Sequence, residues 1–215
     1  IGVAGAETAN DDTTVVITCF NYGRFLGDAV GSALEQSGGP PNIVVVDDGS
    51  TEPETLAALD RLPAEVELVR TPNRGLSAAR NTGAARSATP LLIPLDADDM
   101  LAPQALETLR APLGGDPKLG YAYGLAEMFG SRSGVLKMPP YDPWRVLYRS
   151  IVSHTALIRR EAFDAAGGYD EAVDGYEDWD LYLRLLERGY EGVQVSAVTL
   201  RWRRHGPSML SGVRS

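Results

Sequence analysis

Leu91–Asp99 reads LLIPLDADD: an uncharged run of five residues, four of them branched and apolar, meets three carboxylates within the next four positions. So short an apolar run suits a strand buried on both faces, and its abrupt end in charge suits a strand tip that opens onto solvent. Ile43–Ser50 (IVVVDDGS) repeats the shape, with Ile43–Val46 as strand and Asp47-Asp48-Gly49-Ser50 as its acidic end. Thr14–Cys19 (TVVITC) is a third run of the kind, and Val66–Arg70 a shorter one. The intervals between them carry helical patterns. Phe25, Leu26, Ala29, Val30, Ala33 and Leu34 recur at helical spacing, and a Gly-Gly-Pro-Pro break follows at Gly38–Pro41. Pro53–Leu62 reads as a short helix with Pro in its first turn. Gly75–Ser87 reads as a helix whose small residues (Ala78, Ala79, Gly83, Ala84) pack closely on a sheet, and Pro103–Arg110 is again helical. Strand–helix alternation over residues 14–110 predicts an α/β fold, a mostly parallel sheet with helices on its faces.

The second half is less regular. Leu119–Met128 and Val152–Ile158 read as strands, and Gly130–Pro143 as a loop rich in Gly, Ser and Pro. Glu161–Ala166 reads as a short helix closed by Gly167-Gly168. Glu177–Arg188 is a helix with the apolar stripe Leu181, Tyr182, Leu185 and Leu186. Gly192–Val195 and Val198–Trp202 read as two closing strands. No internal repeat is visible. The expected organisation is a linker or chain edge over 1–13, one domain over 14–205 divided near residue 110, and a tail over 206–215.

The 215 residues carry a net charge of -9, 44% apolar residues and one cysteine. A chain of this size buries enough surface to fold without disulfides. One cysteine excludes a disulfide framework and a Cys-rich zinc site. A pI near 4.7 argues against a nucleic-acid partner, which needs a basic face. The apolar runs fall far short of the roughly 18 residues that span a bilayer, and the N-terminal stretch lacks the basic start of a signal peptide. The expected location is cytoplasmic, with peripheral attachment at the inner face of the membrane compatible with it.

In an open α/β sheet ligands bind beyond the carboxyl ends of the strands. Asp47-Asp48, Asp96-Ala97-Asp98-Asp99 and the Thr18–Tyr22 segment are therefore expected on one edge. Gathering acids there is unfavourable unless a cation joins them. Asp96 and Asp98, two apart in an extended chain, point the same way and offer hard oxygens to Mg²⁺ or Mn²⁺. The competing readings are solvated acids capping the next helix and, for Asp-Gly-Ser, ordinary turn chemistry. Residues 70–87 carry Arg70, Arg74, Arg80 and Arg86 and no acid. That local reversal suits an anionic ligand such as a diphosphate, or a solvated helix face. A second acidic centre, Tyr176-Glu177-Asp178-Trp179-Asp180, opens the strongest helix. Its acids either favour the helix dipole or, buried against Trp179, make a proton acceptor. His154 reads as a packed, hydrogen-bonded core residue. His205 reads as a loop histidine, exposed or completing a metal site, where imidazole would favour Mn²⁺.

Taken in order, VVITCFNYGRFL, IVVVDDGSTE, NRGLSAARNTGAARS, LLIPLDADD, REAFDAAGGYDE and YEDWDLYLRLLERG resemble the inverting nucleotide-sugar glycosyltransferases of family 2, from about Thr14 to His205. The resemblance implies a GT-A fold, a three-layer α/β/α sandwich around a mostly parallel central sheet. It implies a nucleotide-diphosphate sugar donor and a saccharide, lipid-linked or glycoconjugate acceptor. It places Thr18 and Phe20 at the nucleotide base, where Phe20 stacks, and Asp48 as the acid that reads the base, with Asp47 beside it. Arg80 falls at a base or phosphate contact, Asp96 near the ribose or sugar, and Asp98 on the metal, Mn²⁺ or Mg²⁺. Asp178 becomes the catalytic base, Glu177 and Trp179 line the acceptor site, and His205 resembles a late histidine that reaches the metal.

Processive members carry Gln-x-x-Arg-Trp after the Glu-Asp helix. Here Val198 precedes Arg201-Trp202 where that Gln would stand, which implies transfer of a single sugar. Rival readings are less well served. A non-catalytic nucleotide-sugar or carbohydrate binding module would be expected to lack one acid centre. An Asp-x-Asp-x-Thr phosphatase would need Thr where Met100 stands, and dehydrogenases and P-loop proteins need glycine fingerprints that are missing.

Overall fold

The computed structural model describes residues 10–206. In chain order the elements are β1 (Asn10–Cys19), α1 (Gly23–Leu34), β2 (Pro41–Asp47), α2 (Pro53–Leu59), β3 (Val66–Arg70), α3 (Leu76–Ala85), β4 (Leu91–Asp96) and β5 (Met100–Leu101). There follow α4 (Ala105–Leu113), β6 (Leu119–Gly130), β7 (Gly134–Leu136), α5 (Pro143–Val146), β8 (Leu157–Arg159), α6 (Arg160–Ala166), α7 (Glu177–Glu187) and β9 (Glu191–Arg204). Among the described residues the strands form one sheet in the order β3-β2-β1-β4-β8-β6-β9-β5, with β7 paired to β6. β1 lies parallel to β2 and β4, β2 parallel to β3, and β6 parallel to β9. β8 and β5 run antiparallel to their neighbours.

Both faces of the central strands are covered, as their continuous apolar runs require. Val15, Ile17, Ile43, Val45, Ile93 and Leu95 point into one core with Leu26, Ala29 and Val30 of α1 and Leu106 and Leu109 of α4. The alternate residues Val44 and Val46 meet Ala79 of α3 on the other face. There Val16 and Leu92 join a second core built from Tyr121, Tyr123, Phe163, Leu181, Tyr182 and Leu185. The result is three layers, α/β/α. Gly83 sets the approach of α3: a Cβ at that position would stand 2.2 Å from Cγ1 of Val16. The small-residue helix does pack closely on the sheet.

Several elements differ from expectation. The linker expected over 1–13 is replaced at residues 10–13 by the start of β1, and residues 1–9 and 207–215 lie outside the described residues. The last two strands are one, β9, because β6 offers a partner along nearly its whole length. The loop at 130–143 contains β7. The strand expected over 152–158 is confined to Leu157–Arg159. Residues 150–156 are irregular although Ile151, Val152 and Ala156 are buried.

Candidate active site

Parallel pairing aligns the strand ends. Thr18 lies opposite Asp96 and Cys19 opposite Asp47, so the acidic ends of β2 and β4 and the segment after β1 share one edge. The loops are tied together there. Asn21, at φ 57, accepts from the amides of Thr51 (2.8 Å) and Glu52 (3.0 Å) through its side-chain oxygen. Its own amide donates to the Ser50 hydroxyl at 3.0 Å. No acid caps α2. Nor does any other side chain; Asn21 instead fastens the two residues just ahead of the helix, a role the turn-like sequence Phe20-Asn21-Tyr22 left unread.

Asp47 and Asp48 are both buried, at 3% and 5% exposure. Asp47 Oδ1 accepts from the Ser50 amide at 2.9 Å, so the turn expected at Asp-Gly-Ser is closed by the acid one residue earlier. Asp48 reaches further. Its Oδ1 accepts from the amide of Arg74 and its Oδ2 from that of Gly75, each at 2.9 Å. Gly49 permits the approach, since at φ 76 a Cβ there would stand 2.6 Å from the Asn73 nitrogen. Asp48 thus holds the loop before α3 against the strand edge. Phe20 is 44% exposed at the same edge.

The Asp-x-Asp segment does not continue the strand. Residues 97 and 98 form a turn in which the Asp99 amide donates to the Asp96 carbonyl at 3.0 Å. Asp96 and Asp98 therefore do not converge by strand alternation; the turn sends them to different partners. Asp98 Oδ2 lies 2.9 Å from His205 Nε2. Asp96 Oδ1 accepts from Arg80 Nη2 at 2.8 Å. Asp99, 1% exposed, accepts from the Arg203 amide on β9 at 2.8 Å and faces His154 Nε2 at 3.0 Å. His154, expected in the core, is hydrogen-bonded as anticipated but stands at the site, 3.9 Å from Asp96 Oδ2. The third acid of LDADD, Asp99, was the available signal for it, since a buried carboxylate demands a partner.

The four arginines of residues 70–87 all face carboxylates: Arg70 meets Asp60, Arg74 Glu171, Arg86 Glu67, and Arg80 both Asp96 and Glu177. The anionic ligand they suggested is not needed to explain them. Arg80 is 2% exposed, and its Nη1 donates to Glu177 Oε1 at 2.7 Å. Its guanidinium is a strut between the end of β4 and the first turn of α7. Burial disfavours its charge, but Asp96, Tyr169 and Glu177 overrule that and raise its pKa further. Glu177 is spent on the strut. Trp179 anchors α7, donating from Nε1 to the Val146 carbonyl on α5 at 2.6 Å. Both residues remain partly exposed beside Asp178.

Electrostatics separate the acids. Burial would raise the Asp96 carboxyl, but the charges of Arg80 and His154 outweigh it and hold the pKa below the usual value. Asp178 is the reverse: burial first, then Glu177, push its pKa up, against smaller opposing effects of His154 and Arg80. Asp99 is raised by burial to about 6, and His154 is raised to about 9 because the carboxylates of Asp99 and Asp96 overrule its burial.

Two donor sets offer themselves to a metal. Asp96, Asp99 and His154 present atoms within 4.8 Å of one another. Asp96 and Asp99 are also tied by hydrogen bonds to Arg80 and to the Arg203 amide. Asp98 and His205 form the second pair. Their facing atoms, 2.9 Å apart, are spaced as adjacent corners of an octahedron of radius about 2.1 Å. Both side chains are partly exposed, and Tyr22 and Phe25 hold the His205 ring with centroids 5.6 and 4.6 Å away.

A sheet edge of carboxylates facing a Glu-Asp helix, on a three-layer α/β/α sandwich, defines a GT-A glycosyltransferase architecture. The glycosyl transferase family 2 model matches residues 14–167, and a glycosyltransferase-like family 2 model matches residues 128–215. The chain belongs to glycosyltransferase family 2. It is 26% identical over 183 residues to a chondroitin synthase of Escherichia coli, covering 82% of this chain and 26% of that protein. It is 30% identical over 201 residues to the succinoglycan biosynthesis protein ExoU of Rhizobium meliloti, covering 84% and 58%. The chain thus spans about a quarter of the length of the first relative and little more than half of the second. Among solved structures, S. aureus TarS 1–349 in complex with UDP-GlcNAc superposes with a TM-score of 0.75 at 16% identity, over 95% of this chain and 62% of that one.

Proposed function

We propose that this chain transfers one sugar from a nucleotide-diphosphate donor to an acceptor hydroxyl with inversion at the anomeric carbon. The observation that carries the reading is Arg80: one buried guanidinium joins Asp96, at the donor edge, to Glu177, the neighbour of Asp178. A candidate base and the strand-end acids thereby share one wall. Thr18, Phe20, Asp47 and Asp48 form the nucleotide side of that wall, with the exposed ring of Phe20 as the platform for a base. Asp96 meets the ribose or sugar. The family and the UDP-GlcNAc complex of TarS support a nucleotide-sugar donor.

Asp178 is the general base. A carboxylate raised above its ordinary range is a stronger proton acceptor, which suits removal of the acceptor hydroxyl's proton as that oxygen attacks. Its neighbours keep it oriented, since Arg80 holds Glu177 and Trp179 pins α7 to α5. Asp98 and His205 would hold Mn²⁺ or Mg²⁺, which when bound supplies a Lewis acid for the diphosphate leaving group. The acceptor is a saccharide, a lipid-linked sugar or a glycoconjugate. It approaches across the second half, beside α7 and the 130–143 segment. No helix among the described residues is long and apolar enough to cross a membrane, and a cytoplasmic or inner-face location is part of the proposal.

Thermal shift with nucleoside diphosphates and nucleotide sugars, with and without Mn²⁺, identifies the donor, and Asp178→Asn tests the base. Transfer should be lost while nucleotide binding persists. Normal turnover by that variant rejects Asp178. A chain that is shifted by no nucleotide favours a binding module for carbohydrate alone.

A further inference from the structure

The segment that carries His154 gives up sheet pairing without giving up burial. Ladder bonds to β4 and β6 begin only at Leu157, yet Ile151, Val152 and Ala156 are at most 3% exposed. Tyr182 of α7 donates to the Ser153 carbonyl at 3.0 Å. A loop anchored on both sides in this way presents its one outward side chain in a fixed direction. That side chain is His154, a quarter exposed, whose Nε2 faces the carboxylates of Asp99 and Asp96. Across the site the charges alternate: Glu177, Arg80, Asp96, His154, Asp99. The far end of the series reaches β9, because Asp99 also accepts from the amide of Arg203, two residues before His205.

We propose that His154 is a positioning residue of the donor site. It steadies Asp96 through the oxygen that Arg80 does not touch, and Asp99 orients the imidazole while tying it to the strand that delivers His205. The proposal rests on the reading of this edge as a nucleotide-sugar site. Removing the imidazole leaves Asp96 held from one side only. It also leaves the buried Asp99 short of a partner inside the turn that carries Asp98. The damage should fall on nucleotide binding before it falls on the fold.

The test compares His154→Gln, which keeps an N–H donor at similar reach, with His154→Asn, which withdraws it. UDP binding in the presence of Mn²⁺ is measured by calorimetry on the full chain, with the melting temperature recorded alongside. The Asn variant should bind UDP at least tenfold more weakly at a temperature well below its own melting point, and Gln should recover most of the loss. Asp99→Ala should weaken UDP comparably. The Asp99→Ala, His154→Asn double variant should be no weaker than either alone, the non-additivity expected of one coupled unit. Equal UDP affinity of the Asn and Gln variants, or additive losses in the double variant, overturns the proposal. A parent chain that binds neither UDP nor another nucleoside diphosphate removes the donor-site reading itself, and the role of His154 falls with it.

Discussion

Asp96 and Asp178 stand on either side of the same arginine strut and are held in opposite ways. Asp96 closes a strand of the parallel half and has a cation at each oxygen, Arg80 at 2.8 Å and His154 at 3.9 Å. Asp178 opens a helix of the irregular half. Its Oδ1 accepts only from the neighbouring Trp179 amide, and among the described residues no cation lies within ion-pair distance of it. One carboxyl is driven below its ordinary range and the other above it. For these two carboxyls the lesson is that nearby cations decide whether burial prevails: Arg80 and His154 outweigh it at Asp96 and fail to outweigh it at Asp178.

The sharpest way to break that contrast is Asp178→Asn. If the carboxylate is the base, transfer measured by donor consumption should fall about 10²- to 10⁴-fold. Stability should move the other way. A carboxyl whose folded pKa is raised binds its proton more readily in the fold than in the unfolded chain. Its ionised form therefore works against folding at neutral pH, and stability from this group declines as pH rises through its two pKa values. The Asn variant should melt at or above the parent temperature at pH 7. Melting well below it would mean that Asp178 is structural.

Arg80→Met tests the strut that joins the two acids. Because Arg80 is buried, removing it leaves Glu177 without its cation and Asp96 with His154 alone, which should cost on the order of 3–5 kcal/mol, read by denaturant unfolding. The pH profile of transfer sharpens the distinction further. Its acid limb should follow Asp178 and lie above the ordinary carboxylate range, and moving the base to glutamate should shift that limb while leaving the fold intact. The smallest effect belongs to Arg70→Ala. Arg70 and Asp60 are 51% and 67% exposed, and an exposed pair of this kind contributes about 1 kcal/mol or less. A loss comparable to that of Arg80→Met would mean that burial does not govern the worth of these arginines.

The parallel half was largely legible because its signals are local. TVVITC, IVVVDD and LLIPLDADD announce strands by composition and their ends by charge, and parallel pairing then carries Thr18, Asp47 and Asp96 to one edge. The stripe of α7 and the capping glycine of α6, Gly167 at φ 82, were equally local. The second half depended on partners distant in the chain. VSHTALI has a strand's composition, but Ser153 is bonded by a tyrosine of α7 and His154 by an acid of the β4–β5 turn, so most of it never pairs. Residues 192–202 looked like two strands; β6 pairs with both stretches, and its register shifts where they were expected to divide.

The same division runs through the site. Residue type and order alone put acids at strand ends, an aromatic residue after β1 and a Glu-Asp pair at the head of a helix, because strand and helix periodicity depend on near neighbours. Only tertiary structure decided which acid meets which cation. Arg80 to Glu177 spans 97 positions and Asp98 to His205 spans 107, and no local rule relates such residues. Packing chose the partners, and with them the direction in which burial and charge move Asp96 and Asp178.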